Sequence, residues 1–272
     1  MIWSQDKIIR ELKRIAKMLG HSPSTRDVDQ TLYQASRRFF DSFNKAKEVA
    51  KLKINPIKYH QINKNAKKWS IDLSYILGVI EGDGYYRKRK RSSEIILKVE
   101  DKDFAQEFRK RIQRWSGIQP KCWTKDKNFY VALYSVSAVN IIQQLDLNKI
   151  NARNKKIKSN FLRGMYDSEG GVAGLHLNQR KIACRWIHFS NSDKKIIKLV
   201  NSLLKNFKIQ FKTRSRIHSG FDSKKLQYEI LIFGLENFEK FYKNIKFSIE
   251  RKNKKLLQVI NSYEKYQKNP CL

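Results

Sequence analysis

The stretch ILGVIEGDGYY, Ile76 to Tyr86, decides the reading of this chain, because it is nearly repeated at FLRGMYDSEGG, Phe161 to Gly171. In register, Gly78 matches Gly164, Glu81 matches Asp167, Gly82 matches Ser168, Asp83 matches Glu169 and Gly84 matches Gly170. Each copy is an apolar, helix-length run that ends in an acid and a glycine. The small pairs Gly78/Gly82 and Gly164/Ser168 are four residues apart, which puts each pair on one helical face. Small side chains there let two helix backbones approach closely. Two such helices side by side bring Asp83 and Glu169 together at their shared ends. A carboxylate at a helix C-terminus opposes the macrodipole at a cost of roughly 0.3–1 kcal/mol, and a cation between the two acids accounts for the placement. Gly84 and Gly170 are expected to form left-handed caps.

These residues resemble the LAGLIDADG homing endonucleases in their single-chain form with two motifs, over about Asp72 to Lys246. The resemblance implies a magnesium-dependent, site-specific endonuclease that makes a staggered double-strand break as a monomer on a long asymmetric DNA site. It makes Asp83 and Glu169 the metal-binding catalytic residues, with the backbone of Gly82 and Ser168 beside the ion. Glu81 and Asp167 are then structural. Lys102 stands nearest the place of an auxiliary lysine. An intron-encoded origin and contact with intron RNA are further implications. Two other readings compete: an RNA-binding maturase, and a DNA-binding regulator of the same fold that does not cut.

Composition points the same way. The 272 residues carry 58 Lys and Arg against 25 Asp and Glu, a formal charge of +33 spread along the chain, and a surface that basic seeks a polyanion. Three unpatterned cysteines, Cys122, Cys184 and Cys271, suit a reducing compartment and exclude a disulfide framework or zinc finger. The five histidines form no metal-ligand pair, and no phosphate-binding loop motif is present. The start lacks a signal-peptide core and no run is long enough to span a membrane, so the protein reads as soluble and intracellular.

Around the motifs the expected organisation is α+β. Residues 1–55 form a small all-α module, similar in the frame LGHSPS and FDSFNKAKEVAKL to the repeat associated with homing endonucleases, with Ser24 and Asp27 as a capping box. Residues 56–70 read as a linker. Two pseudo-symmetric αββαββα halves follow, 71–157 and 158–248, together forming a DNA-binding β-saddle, and a terminal packing helix occupies 249–272. The strands are expected to carry the DNA contacts on one wet face. Those contacts are Arg87, Arg89 and Arg91, then Lys121, Trp123 and Lys125, in the first half. In the second half they are Arg185, Lys212, Arg214 and Arg216.

Overall fold

A computed structural model describes residues 3–54, 62–89, 93–173, 176–177, 183–219 and 224–267. The chain divides into two units, Met1–Tyr59 and His60–Leu272.

The first unit is three helices. Helix α1, Gln5–Leu19, is capped by the Ser4 hydroxyl and closed by Gly20 in the left-handed region. Helix α2, Gln30–Phe40, is capped by Asp29, not by the expected Ser24–Asp27 pair. Ser24 and Asp27 bond each other in a turn before that helix. The apolar run from Phe39 to Leu52 is broken at Asp41, whose left-handed backbone ends α2, and Ser42 then caps α3, Phe43–Val49. Ile8, Leu12, Leu32, Ala35, Phe43, Ala46 and Ala50 form a separate core for this unit.

The second unit opens with residues that belong to its core. Asn63 donates to the carbonyls of Arg114 and Trp115, and the Trp115 indole donates to the Ala66 carbonyl. Residues 62–70 are therefore packed structure and not the linker that their polar composition suggests.

Each half then runs helix, hairpin, helix, hairpin, helix. The first has α4 (Ile71–Ile80), β1 (Gly84–Lys88), β2 (Ser93–Val99), α5 (Lys102–Ser116), β3 (Lys121–Lys125), β4 (Asn128–Tyr134) and α6 (Val136–Gln144). A 3-10 turn, Leu147–Ala152, leads to α7 (Lys155–Glu169), capped by Asn154. The second half continues with β5 (Gly170–Val172), the short pair β6 (His176–Leu177) and β7 (Ala183–Cys184), β8 (Ile187–Asn191), α8 (Lys194–Asn206), β9 (Lys212–Ser219), β10 (Lys224–Ile232) and α9 (Leu235–Asn244). Helix α10, Glu250–Gln267, ends the described chain. The two antiparallel sheets have the same order, β1-β2-β4-β3 and β5-β8-β10-β9.

Several elements are shorter than their sequence patterns suggest. The run Val172 to Asn178 reads in sequence as one strand, but β5 ends at Val172, and β6 pairs with β7 in a sheet of its own. Strand β9 begins only at Lys212, because Lys208 turns the chain with a positive φ and Ile209 is buried before the strand. Strand β1 ends at Lys88, so Arg89 lies beyond it, and Arg91 falls outside the described residues.

Alternation divides each sheet into a core face and an open face. Ile95, Leu97, Val99, Val131 and Leu133 in the first, and Ile187, Phe189, Ile230 and Ile232 in the second, join one continuous core with the helices.

Candidate functional site at the ends of the motif helices

Helices α4 and α7 pack backbone against backbone. A Cβ on Gly78 would lie 2.2 Å from the Phe161 carbonyl oxygen, and one on Gly164 would lie 2.4 Å from that of Tyr75. Farther along, a Cβ on Gly82 would lie 2.4 Å from Ser168 Cβ and 3.2 Å from Glu169 Cγ. Ser168 Oγ is buried there with no hydrogen-bond partner. The seam thus stays tight up to the two acids.

Gly84 and Gly170 are not left-handed, since the positive-φ glycines among the described residues are Gly20, Gly117 and Gly234. Their need is for space. A Cβ on Gly170 would meet Tyr166 at 2.6 Å, and one on Gly84 would meet the Val79 and Ile80 backbone at 3.1–3.2 Å. The chain leaves α7 directly into β5, and leaves α4 through the short turn Glu81–Asp83 into β1.

Glu169 is the last residue of α7, and Asp83 lies just past the Glu81 cap of α4. Burial raises the Asp83 carboxyl above its ordinary range; Lys252 opposes the shift and Asp101 adds to it. Burial also raises Glu169, the Asp83 charge pushes it further, and Lys252 again opposes. The two acids from the two motifs therefore feel each other in a partly desolvated place. Among the described residues no group of three or more His, Cys, Asp and Glu side chains gathers as a metal cage. Two carboxylates are the oxygen donors that a hard divalent cation retaining water prefers.

The other motif acids behave differently from one another. Asp167 is buried, and its two oxygens accept from the Tyr75 hydroxyl at 2.8 Å and from Ser248 N–H at 2.8 Å. Its pKa is raised by burial to about 6. Glu81 is half-buried and is raised by burial and by the Asp193 charge.

The cation beside the acids is Lys252, which the sequence did not single out. From the first turns of α10, its ammonium donates to the carbonyls of Asp167 at 2.6 Å, Gly170 at 2.7 Å and Tyr166 at 3.4 Å. It satisfies the carbonyls at the end of α7 and offsets the dipole on which Glu169 sits. Arg251 next to it grips Asp101 through two bonds of 2.6 and 2.7 Å, and Glu250 N–H donates to Asp103 at 2.5 Å. Helix α10 thereby ties the first half to the second at the acid end, which goes beyond the packing role expected of it. Lys102 instead opens α5 and lines, with Cys122 and Trp123, a cavity of about 220 Å³ between α5 and the β3–β4 edge.

Pairing places Arg87, Lys121, Trp123 and Lys125 on the open face of the first sheet, and Lys212, Arg214 and Arg216 on that of the second. Arg87 pairs with Glu94, and Arg214 and Arg216 both pair with Glu229. Arg185 lies before β8 and stacks on the Tyr263 ring, 4.2 Å from its centroid, so it packs against α10.

Residues 156–246 match the family model of the LAGLIDADG-like domain, and residues 3–53 match that of the homing endonuclease associated repeat. Two uncharacterized proteins of Methanocaldococcus jannaschii are similar. One is 27% identical over 59% of this chain and 66% of its own length; the other is 28% identical over 72% and 74%. Part of that organism's replication factor C small subunit is also 28% identical, over 72% of this chain but 10% of its own length. Among solved structures, the homing endonuclease I-DmoI in complex with DNA and Mn is 18% identical with a TM-score of 0.47, covering 66% of this chain and 96% of its own. I-WcaI bound to its DNA recognition sequence is 16% identical with a TM-score of 0.48, covering 77% and 96%. These neighbours name DNA and no RNA, and the intron-RNA expectation gains no support from them. Among the described residues no helix is long and apolar enough to cross a membrane. By these matches, residues 3–53 are similar to the homing endonuclease associated repeat and residues 156–246, with the second motif helix, to the LAGLIDADG-like domain.

Proposed function

We propose that the protein is a site-specific DNA endonuclease that cuts both strands at the acid pair, one motif acid serving each strand. The observation that carries this reading is the pair itself. Asp83 and Glu169 come from two different motifs, meet at one helix seam, and are raised in pKa by burial and, at Glu169, by the partner's charge. A carboxylate raised by its neighbour's charge is stabilised by a cation, and a chain of +33 brings a phosphodiester to the pair.

Asp83 and Glu169 would hold a magnesium ion, with the carbonyls of Gly82 and Ser168 nearby. Such an ion supplies charge neutralisation at the phosphate and eases deprotonation of the attacking water. The chain's own part is positional. The glycine seam fixes the separation of the acids, Lys252 holds the end of α7, and the open sheet faces align the duplex. A single chain contributes both acids, so a monomer suffices.

The test is Asp83→Asn and Glu169→Gln on a cleavable duplex in magnesium. Each variant should retain binding and lose the double-strand break, leaving at most a nick in one strand. Full cutting by either variant would sink the assignment.

A further inference from the structure

The two sheets carry different chemistry at one pseudo-equivalent position. In the first, Gly84 pairs with Leu97 and Leu97 with Val131, and the next row on the open face is Lys98–Tyr130–Trp123. In the second, Gly170 pairs with Phe189 and Phe189 with Ile230, and the next row is Ser190–Glu229–Arg214. Counted from the glycine after each motif, Tyr130 corresponds to Glu229 and Trp123 to Arg214. The flanking positions stay basic in both halves: Lys121 and Lys125 in β3, Lys212 and Arg216 in β9. The repeat keeps basic residues at the flanks and exchanges the centre.

In the first sheet the centre is an aromatic platform. Trp123 and Tyr130 stack at 5.0 Å with 9° between their planes, and Lys121 and Lys98 each sit 5.8 Å over one ring. In the second sheet the centre is an ion cluster. Glu229, 5% exposed, accepts from Arg214 Nε at 2.6 Å and pairs with Arg216, while both arginine side chains stay half exposed. Held through Nε, Arg214 keeps its two terminal nitrogens as a side-by-side donor pair on a fixed stem. Such a fork matches the N7 and O6 acceptors of guanine in the major groove, whereas an apolar ring face matches the C5-methyl of thymine.

On the basis of the DNA reading above, we propose that this exchange sets the base preference of the two half-sites. Arg214, braced by Glu229, reads a guanine in one half-site, and the Trp123–Tyr130 platform takes a thymine methyl at the matching position of the other. Glu229 is a positioning residue. It also keeps the two arginines from acting as free phosphate contacts.

The full chain is mixed with random-sequence duplexes without divalent metal, and bound duplexes are separated by gel shift and sequenced over successive rounds. The expected consensus is asymmetric, with a guanine column and a thymine column at matching distances from its centre. Arg214→Ala should flatten the guanine preference by about five-fold or more, the lower end for one bidentate contact, and leave the other columns intact. Trp123→Ala should do the same to the thymine column. Glu229→Ala should bind random duplexes more tightly while losing the guanine preference, an outcome that a structural defect would not produce. A consensus unchanged in Arg214→Ala and Glu229→Ala, or weakened equally in every column, overturns the inference and leaves the DNA reading standing. A wild-type chain that enriches no consensus overturns the DNA reading itself.

Discussion

Gly78 and Gly164 are the residues on which the molecule closes, because each faces the backbone of the other motif helix. A backbone carbonyl cannot swing aside as a flexible side chain can, so a methyl group at 2.2 Å from Phe161 O forces the helices apart. Gly78→Ala should therefore cost about 3 kcal/mol or more, the upper end for overpacking. Gly20→Ala should cost only about 1 kcal/mol, since nothing lies within 4 Å of it and the penalty is that of its left-handed backbone. Thermal unfolding of both variants measures the difference, and equal losses would mean the seam yields. Tyr75→Phe belongs at this scale too. It leaves the buried Asp167 oxygen without its donor and should lower stability by about 1–3 kcal/mol. The small-residue spacing could be read from sequence because it is periodic. The role of Gly84 and Gly170 could not, because a glycine needed for space and a glycine needed for positive φ look alike in a sequence.

Helix α10 marks where legibility stops among the elements. Its amphipathic pattern gave its existence and inner face, but the partners of Arg251 and Lys252 lie about 80 to 150 residues away. Three of those partners are backbone carbonyls, which no side-chain pattern encodes. The boundaries of β5 and β9 were lost for a similar reason, since pairing with a short neighbour or a turn at Lys208 overrides local alternation. The strut from Arg251 to Asp101 carries a pH signature. The Arg251 hydrogen bond, together with its charge, holds the Asp101 carboxyl below its ordinary range against the pull of burial. A depressed carboxyl contributes stability above its unfolded value, near 4, and loses it as pH falls through the lower folded value. Arg251→Met should thus cost about 1 kcal/mol at pH 7, for a partly exposed bidentate pair. Its melting temperature should converge on the wild type as pH drops below about 4. A gap that stays constant to pH 3 would show that only the aliphatic stem of Arg251 matters.

At the scale of the whole molecule, the pseudo-twofold repeat was legible because its signal is duplicated, and the residue roles were not because duplication hides divergence. Trp123 and Arg214 read alike as strand residues between two cations, yet one stacks on a ring and the other grips a carboxylate. The N-terminal unit has its own core and holds neither motif acid, while residues 1–59 carry 13 Lys and Arg against 6 Asp and Glu, an excess of +7. A basic unit of this kind is expected to extend the DNA footprint without entering the chemistry. Each phosphate it neutralises adds roughly −0.9 to the slope of log affinity against log salt. A chain beginning at His60 is the right comparison, because one beginning at Trp69 would remove Asn63 and Ala66 from the Trp115 end of α5. That shortened chain should bind more weakly, with a shallower salt slope, and should cut the same phosphodiesters. Salt titrations of binding and mapping of the cut, for both chains, give the two readouts. An unchanged slope would mean that the excess charge of the first unit only faces water. A chain that binds but does not cut would place the unit within the cleavage machinery.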